Sequence, residues 1–390
     1  MIQTEMENFR KEPIEKPQAP RESRWQEFWR LFRKNQLAFI GLLIFIAFFL
    51  SALVGLILTS GSNPVFDPAI VRLEEKLHPP LSIPNHEALA PEAIPRLGIY
   101  LFGTDDLGRD VFSRMMQGAW VSLTVGFVAV RIAVLIGILL GGISGYYGQN
   151  AIRMDQMIAV FVAMAGIVLL VSKTYHVGML LLVLGVLYFV ASRWQKKEMQ
   201  KPGKSAWTRI LSMRAMSVDT LIMRFVDIML CFPSFFLILT VVALRPPSIY
   251  NLMIVIGLTS WMGTTRFVRA EFLSLREQDF VTAARALGIG NWRIIFRHMV
   301  PNAIAPVLVS ATIGIAGAIL TESALSFLGL GVPPPHATWG NILSDGKNYI
   351  FDAPWLTFVP GIAILIVVLS FNLFGEGLRD VLNPRLRERS

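Results

Sequence analysis

Apolar and polar stretches alternate along this chain on a scale far longer than the period of a soluble helix or strand. Six runs, at about 37 to 58, 121 to 144, 221 to 244, 250 to 267, 302 to 325 and 355 to 375, are close to or above the ~20 apolar residues that a helix needs to cross a bilayer. Two shorter runs, 156 to 172 and 177 to 192, lie between the second and third and are separated only by Lys173, Thr174, Tyr175 and His176. Backbone polar groups in lipid must be satisfied within the segment, which at this length predicts helices and an all-α membrane fold. Two runs also carry small residues at four-residue spacing: Gly137, Gly141 and Gly145 in one, and Ser310, Gly314 and Ala318 in the other. Such rows mark faces where helices approach closely, within the subunit or against a partner.

Charge sets the orientation. Arg30, Arg33 and Lys34 precede the first run, and basic residues crowd the linker before the third (Arg193, Lys196, Lys197, Lys201, Lys204) and the loop from about 264 to 300. The positive-inside rule then places both termini and those loops in the cytoplasm. The predicted division is a cytoplasmic segment at 1–36, a first span at 37–58, an external loop at 59–120 forming a small ordered cap, and a second span with its turn at 121–149. An insertion at 150–216 follows, read as a helical hairpin with a basic linker, since only an even number of crossings returns the chain to the same side. Four more spans occupy 217–378, with a cytoplasmic loop at about 268–301, and 379–390 is a cytoplasmic tail.

Composition agrees: 54% of the 390 residues are hydrophobic, 16% are charged, and the mean hydropathy is +0.54. That excludes an ordinary soluble domain. The net charge of +9 sits in span-flanking segments, so nucleic acid is not an expected partner, whereas membrane lipid is. The one cysteine, Cys231, permits no intrachain disulfide. The first 35 or so residues carry both signs of charge and precede a full-length span, which is unlike a cleavable signal peptide.

The most informative stretch runs from Asp279 to Asn302. Ala283 to Leu287 favours helix, Gly288 supplies a stop, and Asn291 is placed to cap a second helix. A helix-turn-helix at the inner membrane surface results. Its first helix, about Phe280 to Leu287, presents the small Ala283 and Ala284, with Asp279 and Arg285 as polar anchors.

This stretch resembles the EAA loop of binding-protein-dependent ABC importer permeases, whose two alanines, glycine and proline are matched by Ala283, Ala284, Gly288 and Pro301. Thr282 stands where that loop usually has glutamate, which puts an acidic contact there in doubt. Further stretches are similar to the C-type permeases of the dipeptide, oligopeptide and nickel family. They are Phe102 to Arg114 (Phe-Gly-Thr-Asp-Asp-Leu-Gly-Arg-Asp-Val-Phe-Ser-Arg), Gly145-Tyr-Tyr-Gly148, Met223 to Pro233, Ala324 to Gly331, Trp339-Gly340 and Phe371 to Arg379. Asn383-Pro384-Arg385 departs mildly from the family's Asp-Pro-Arg ending, and residues 150 to 216 have no counterpart in its six-span pattern.

The resemblance implies a permease that pairs with a second, related permease as a heterodimer, binds two cytoplasmic ATPases and receives solute from an extracytoplasmic binding protein. ATPase coupling would fall on Asp279, Phe280, Thr282, Ala283, Ala284, Arg285, Leu287 and Gly288. No cofactor is expected on this chain, and ATP and Mg belong on the ATPase partners. The sequence supplies no phosphate loop of its own: Gly340 to Lys347 has the wrong spacing and ends in Asn348.

Single residues carry narrower expectations. Arg131 lies mid-span, where it costs about 2.5–3.5 kcal/mol on insertion scales, so it pairs with a carboxylate or lines the solute path. Glu322 either meets a cationic solute or bonds locally, for instance to Ser323. Arg224 and Asp227 are spaced to pair on one helix face. The five histidines show no metal-ligand spacing. Pro233 predicts a kink within its span, and Trp339 and Trp355 suit the outer interface or a re-entrant turn. A membrane-embedded enzyme would show paired carboxylates, a His cluster or a Ser/His set, and a secondary transporter an inverted repeat; neither pattern is visible.

Overall fold

A 37-residue helix, α3 (Val111–Tyr147), is the axis of the bundle. At 1.5 Å per residue it is about 55 Å long, well beyond the ~30 Å of a hydrocarbon core. It begins ten residues before the predicted span because the Asp110 carboxylate caps it, accepting the Phe112 and Ser113 amides at 3.2 and 3.1 Å. The computed structural model describes residues 23–61, 64–87, 89–91, 93–148, 150–153, 156–160, 162–163, 166, 175–194 and 214–382.

Before α3 lie the amphipathic α1 (Arg24–Lys34) and α2 (Gln36–Thr59). After it come β1 (Ala151–Arg153), α4 (Tyr175–Trp194), β2 (Arg214–Ser217), α5 (Val218–Cys231), α6 (Ser234–Ala243) and α7 (Ile249–Arg276). The chain closes with α8 (Asp279–Ala286), α9 (Asn291–Phe327), α10 (Trp339–Gly346) and α11 (Trp355–Leu382). Apart from the antiparallel β1–β2 ladder, the described regular structure is helical.

The glycine row of α3 faces α7, inside the subunit. A Cβ on Gly137 would lie 2.6 Å from the Thr264 methyl, one on Gly141 2.5 Å from the Thr265 carbonyl, and one on Gly145 2.5 Å from Phe272 Cβ. Only glycine lets the two backbones come this close. The second small-residue row is looser, since a Cβ at Gly314 would meet only the Val130 side chain of α3, at 3.4 Å. Around this pair, Ser370 of α11 donates to the Gly41 carbonyl of α2 at 2.7 Å. Phe32 of α1 is buried against Phe374 of α11, with ring centroids 5.9 Å apart.

By length and composition α2, α3, α9 and α11 can each cross a membrane, and α5 with α6 passes as a pair bent by 77° at the Phe232–Pro233 break. The sequence places a kink there; the structure breaks the helix outright. Proline offers no amide to continue the ladder. The predicted span at 250–267 falls within α7, which is not among the sufficiently apolar helices. Asn251, Thr259, Ser260, Thr264, Thr265 and Arg266 lower its apolar content. Packing on α3 shelters it, and Thr259 and Ser260 return their hydroxyls to the Val255 and Ile256 carbonyls at 2.8 and 2.7 Å.

At one end of the bundle the loop before α3 forms a cap held by buried polar groups. Glu75 is fully buried, accepts the Asn85 amide at 2.9 Å and pairs with His78 at 3.2 Å. Thr104 Oγ1 donates to the Glu75 carbonyl at 2.5 Å. Asp105 accepts from Arg109 at 2.7 Å and also from Arg114. Burial pushes the Tyr100 phenol up to about 12. Trp339 is 1% exposed beneath the cap, donating to the Met115 carbonyl at 3.2 Å. Trp355 bonds the Thr104 carbonyl at 3.1 Å.

Candidate coupling site

At the opposite end of the bundle, α8 follows α7 after a two-residue turn. Asp279 in its first turn complements the helix dipole. Its C-terminus is closed by a Schellman motif. The Gly288 amide donates to the Arg285 carbonyl at 2.9 Å, and the Ile289 amide to the Ala284 carbonyl at 3.1 Å. Gly288 has φ +73°, the left-handed conformation that side chains resist. The chain then turns at Gly290 into α9, whose first residues carry a wide π turn at Ile294–Met299.

α8 has a buried and an open face. Val281 and Ala284, 0% and 5% exposed, join a cluster with Tyr146, Phe272, Ile294, Ile295 and Met299, and Phe280 packs on its edge. The open face carries Thr282, Ala283, Arg285, Ala286 and Leu287, the last 80% exposed. The two alanines taken together from the sequence as one small-residue surface therefore point different ways. Ala284 holds the helix to its own subunit, and Ala283 faces outward. Beyond the turn, Trp292 and Phe296 stack at 5.6 Å and are also exposed. Thr282 turns its hydroxyl back to the Asp279 carbonyl at 2.9 Å.

Tyr146 at the end of α3 fixes this unit. Its hydroxyl donates to Asn291 Oδ1 at 2.9 Å, and the Arg285 guanidinium lies 5.0 Å from its ring centroid. Asn291 thus latches the loop to α3, while Gly290 occupies the cap position of α9. Nearby, Asp219 of α5 accepts from Arg269 of α7 at 2.5 Å and from Ser144 of α3 at 2.5 Å. Arg276 reaches the Gly145 carbonyl at 3.5 Å. Sequence reasoning assigned none of these latches; the signal was the Gly145-Tyr-Tyr-Gly148 match, which names Tyr146 without its partner.

Arg131 and Glu322 do not meet. Arg131 is exposed on α3 and has no ion-pair partner among the described residues. Glu322 is fully buried, accepting Ser122 Oγ of α3 at 3.1 Å and Ser326 Oγ at 2.7 Å, rather than reaching the surface. Asp227 bonds Arg266 of α7 at 2.5 Å, with Arg224 farther off at 3.9 Å. At the cap end, a cleft of about 450 Å³ opens between Asp106, Arg114, His336 and Asp345. Arg109 and Arg114 reach Asp345 at 3.1 and 2.9 Å. Burial, with Asp105 and Asp345 alongside, pushes the Asp106 carboxyl up.

Residues 206–388 match the family described as the inner membrane component of binding-protein-dependent transport systems. Residues 23–80 match the N-terminal transmembrane domain of oligopeptide transport permease C. The chain is 36% identical over 365 residues to the dipeptide transport permease DppC of Alkalihalophilus pseudofirmus, covering 94% of this chain and 91% of that one. It is 32% identical over 375 residues to the di/tripeptide permease DppC of Pseudomonas aeruginosa, covering 96% and 97%. With the oligopeptide permease OppC of Bacillus subtilis the identity is 30% over 366 residues, covering 94% and 91%. The chain belongs to this family of ABC importer permeases, inner-membrane subunits that transport and are not themselves the catalysts.

Proposed function

We propose that the chain is one of two related permeases of an importer for dipeptides and short oligopeptides, driven through α8 by two ATPases that carry the ATP and Mg. Peptides are chosen over nickel complexes because the relatives named above are described for peptides. The loop end faces the cytoplasm with both termini, and the cap end receives an extracytoplasmic binding protein. Six spans make the transport core, with α7 as the sheltered one, and residues 150–216 add to it.

The observation that carries the coupling assignment is the open face of α8. Leu287 and Ala283 are displayed on a helix whose other face, whose C-terminal turn and whose Arg285 are all fixed internally. In this reading Thr282, Ala283, Arg285 and Leu287 meet the ATPase. Asp279, Phe280, Ala284 and Gly288 hold them in place. ATP-driven closure of the ATPases favours one permease state over the other through contacts that differ between the two. Arg131, exposed on α3 and without an ion-pair partner among the described residues, is assigned to the path between the two permeases, and Glu322 to holding α3 and α9 together. The test is uptake of a radiolabelled dipeptide by proteoliposomes containing the assembled complex. Uptake needing ATP, binding protein and an intact α8 face supports the function; uptake indifferent to ATP refutes it.

A further inference from the structure

β1 and β2, which bracket residues 154–213, pair with each other. Ile152 pairs with Met216 and Arg153 with Arg214. This ladder is tied to the end of α3 by the Asn150 amide on the Tyr147 carbonyl at 2.7 Å, and to α5 by the Val218 amide on the Asn150 carbonyl at 3.0 Å.

Beyond the neck the described residues between 156 and 166 are helical and run antiparallel to α4 along a seam of small residues. A Cβ on Gly185 would lie 2.8 Å from the Ala159 carbonyl and 2.9 Å from Ala163 Cβ, and one on Gly166 would lie 2.8 Å from the Gly178 carbonyl. Seams of this kind join helices where lipid removes the hydrophobic drive to associate.

The seam uses one side of α4, and the rest of its surface is apolar and open. Met179, Leu180, Leu184, Val186, Leu187 and Tyr188 fan over more than half of the circumference and are 46–61% exposed. Among the described residues, none from α4 enters a core cluster. A helix apolar on every unpaired side belongs in lipid. The apolar part of α4, His176–Ala191, measures about 24 Å, short of the ~30 Å hydrocarbon core by a mismatch that local thinning of the bilayer accommodates. In the sequence, Arg193, Lys196, Lys197 and Lys201 come directly after the apolar residues of α4.

We infer that the described residues between 156 and 166 and α4 form a pair of membrane helices whose open face takes lipid acyl chains, joined to the transport core through the β1–β2 neck and removable from it. The orientation, though not the pairing, rests on the reading of the loop end as cytoplasmic. Cys231 is exposed, so labelling starts from a Cys231→Ser background. His176→Cys at the far tip, Glu87→Cys in the cap and Gly290→Cys beside α8 are treated with an impermeant maleimide on intact cells and after permeabilisation. His176→Cys reacting in the same condition as Glu87→Cys supports a spanning hairpin. Its reacting only alongside Gly290→Cys overturns it. Reversed behaviour of Glu87→Cys and Gly290→Cys would sink the orientation alone. A nitroxide on Leu184→Cys should collide with oxygen more than with a water-soluble nickel chelate, and the reverse ratio refutes lipid as the occupant.

The final arm replaces residues 154–213 by Asn-Gly, a two-residue turn suited to joining the paired Arg153 and Arg214. The shortened full-length complex should insert, assemble and retain wild-type dipeptide uptake. Failure to assemble, with His176→Cys still placed on the Glu87→Cys side, would show that the hairpin is part of the core fold and overturn its removal.

Discussion

Neighbouring alanines on α8 separate folding from coupling in one experiment. Ala284 is 5% exposed, surrounded by Val281, Ile294, Ile295 and Met299, so Ala284→Glu would bury a carboxylate among apolar side chains. Taking such a charge out of water costs several kcal/mol, and forcing the larger side chain into a packed site adds about 1–3 kcal/mol. Against a total stability of ~5–15 kcal/mol, that is enough to unseat α8 from the bundle. Ala283 lies one residue earlier and faces outward, where a surface substitution costs within about 0.5 kcal/mol of nothing. Ala283→Glu should therefore leave the isolated permease as stable as the wild type. In the assembled transporter it should place an unpaired charge in the ATPase contact and abolish solute-stimulated ATP hydrolysis. Thermal unfolding in detergent reads the first effect, and ATPase and uptake assays in proteoliposomes the second. A wild-type melting temperature for Ala284→Glu would refute the buried face, and normal coupled uptake by Ala283→Glu would refute the docking surface.

Gly288→Val should keep α8 helical but lose its Schellman turn, at about 1–2 kcal/mol for the left-handed backbone; Gly288→Asn, which tolerates that conformation, should restore much of the ATPase stimulation. Gly141→Leu should prevent a stable bundle, because its Cβ alone would sit 2.5 Å from the Thr265 carbonyl; a monodisperse, normally melting variant would contradict the α3–α7 packing. For Asp106, burial and the adjacent carboxylates raise the folded pKa, so the folded state holds the proton more tightly. Stability should rise as pH falls through the folded pKa and level off below the unfolded one. Melting curves of Asp106→Asn across the weakly acidic range should lack that rise.

The spans were legible because the solvent is simple: a bilayer demands long apolar runs, and α2, α9 and α11 show them plainly. α7 shows where that logic thins. Residues 250 to 267 read as a full span, yet α7 is not among the helices apolar enough to cross alone; a more polar helix is acceptable once a glycine row on α3 lets it press against another backbone. The row itself was visible, but its partner was not, since Thr264, Thr265 and Phe272 lie over a hundred residues away. The start of α3 was missed for a different reason. Val111 to Trp120 includes Ser113, Arg114 and Gln117, and a hydropathy reading has no place for a helix that continues past the membrane into a polar cap.

The phase of α8 could not be read from its own sequence. Phe280, Ala283, Ala284 and Leu287 fall at the i, i+3, i+4, i+7 positions of one apolar stripe, and that stripe would bury Leu287 and Ala283 together with Ala284. The structure turns the helix otherwise, because residues outside it decide. Ile289 folds back through the Schellman turn onto the cluster holding Ala284, Arg285 is drawn over the Tyr146 ring, and Val281 fills the space against Ile294. Part of a regular apolar stripe is thereby left in water, with Leu287 at its tip and Trp292 and Phe296 beyond. Local pattern and observed packing disagree only on this face. Exposed apolar residues on a helix whose other face is held internally suit contact with another protein, and the docking surface proposed for α8 rests on that mismatch between local pattern and packing.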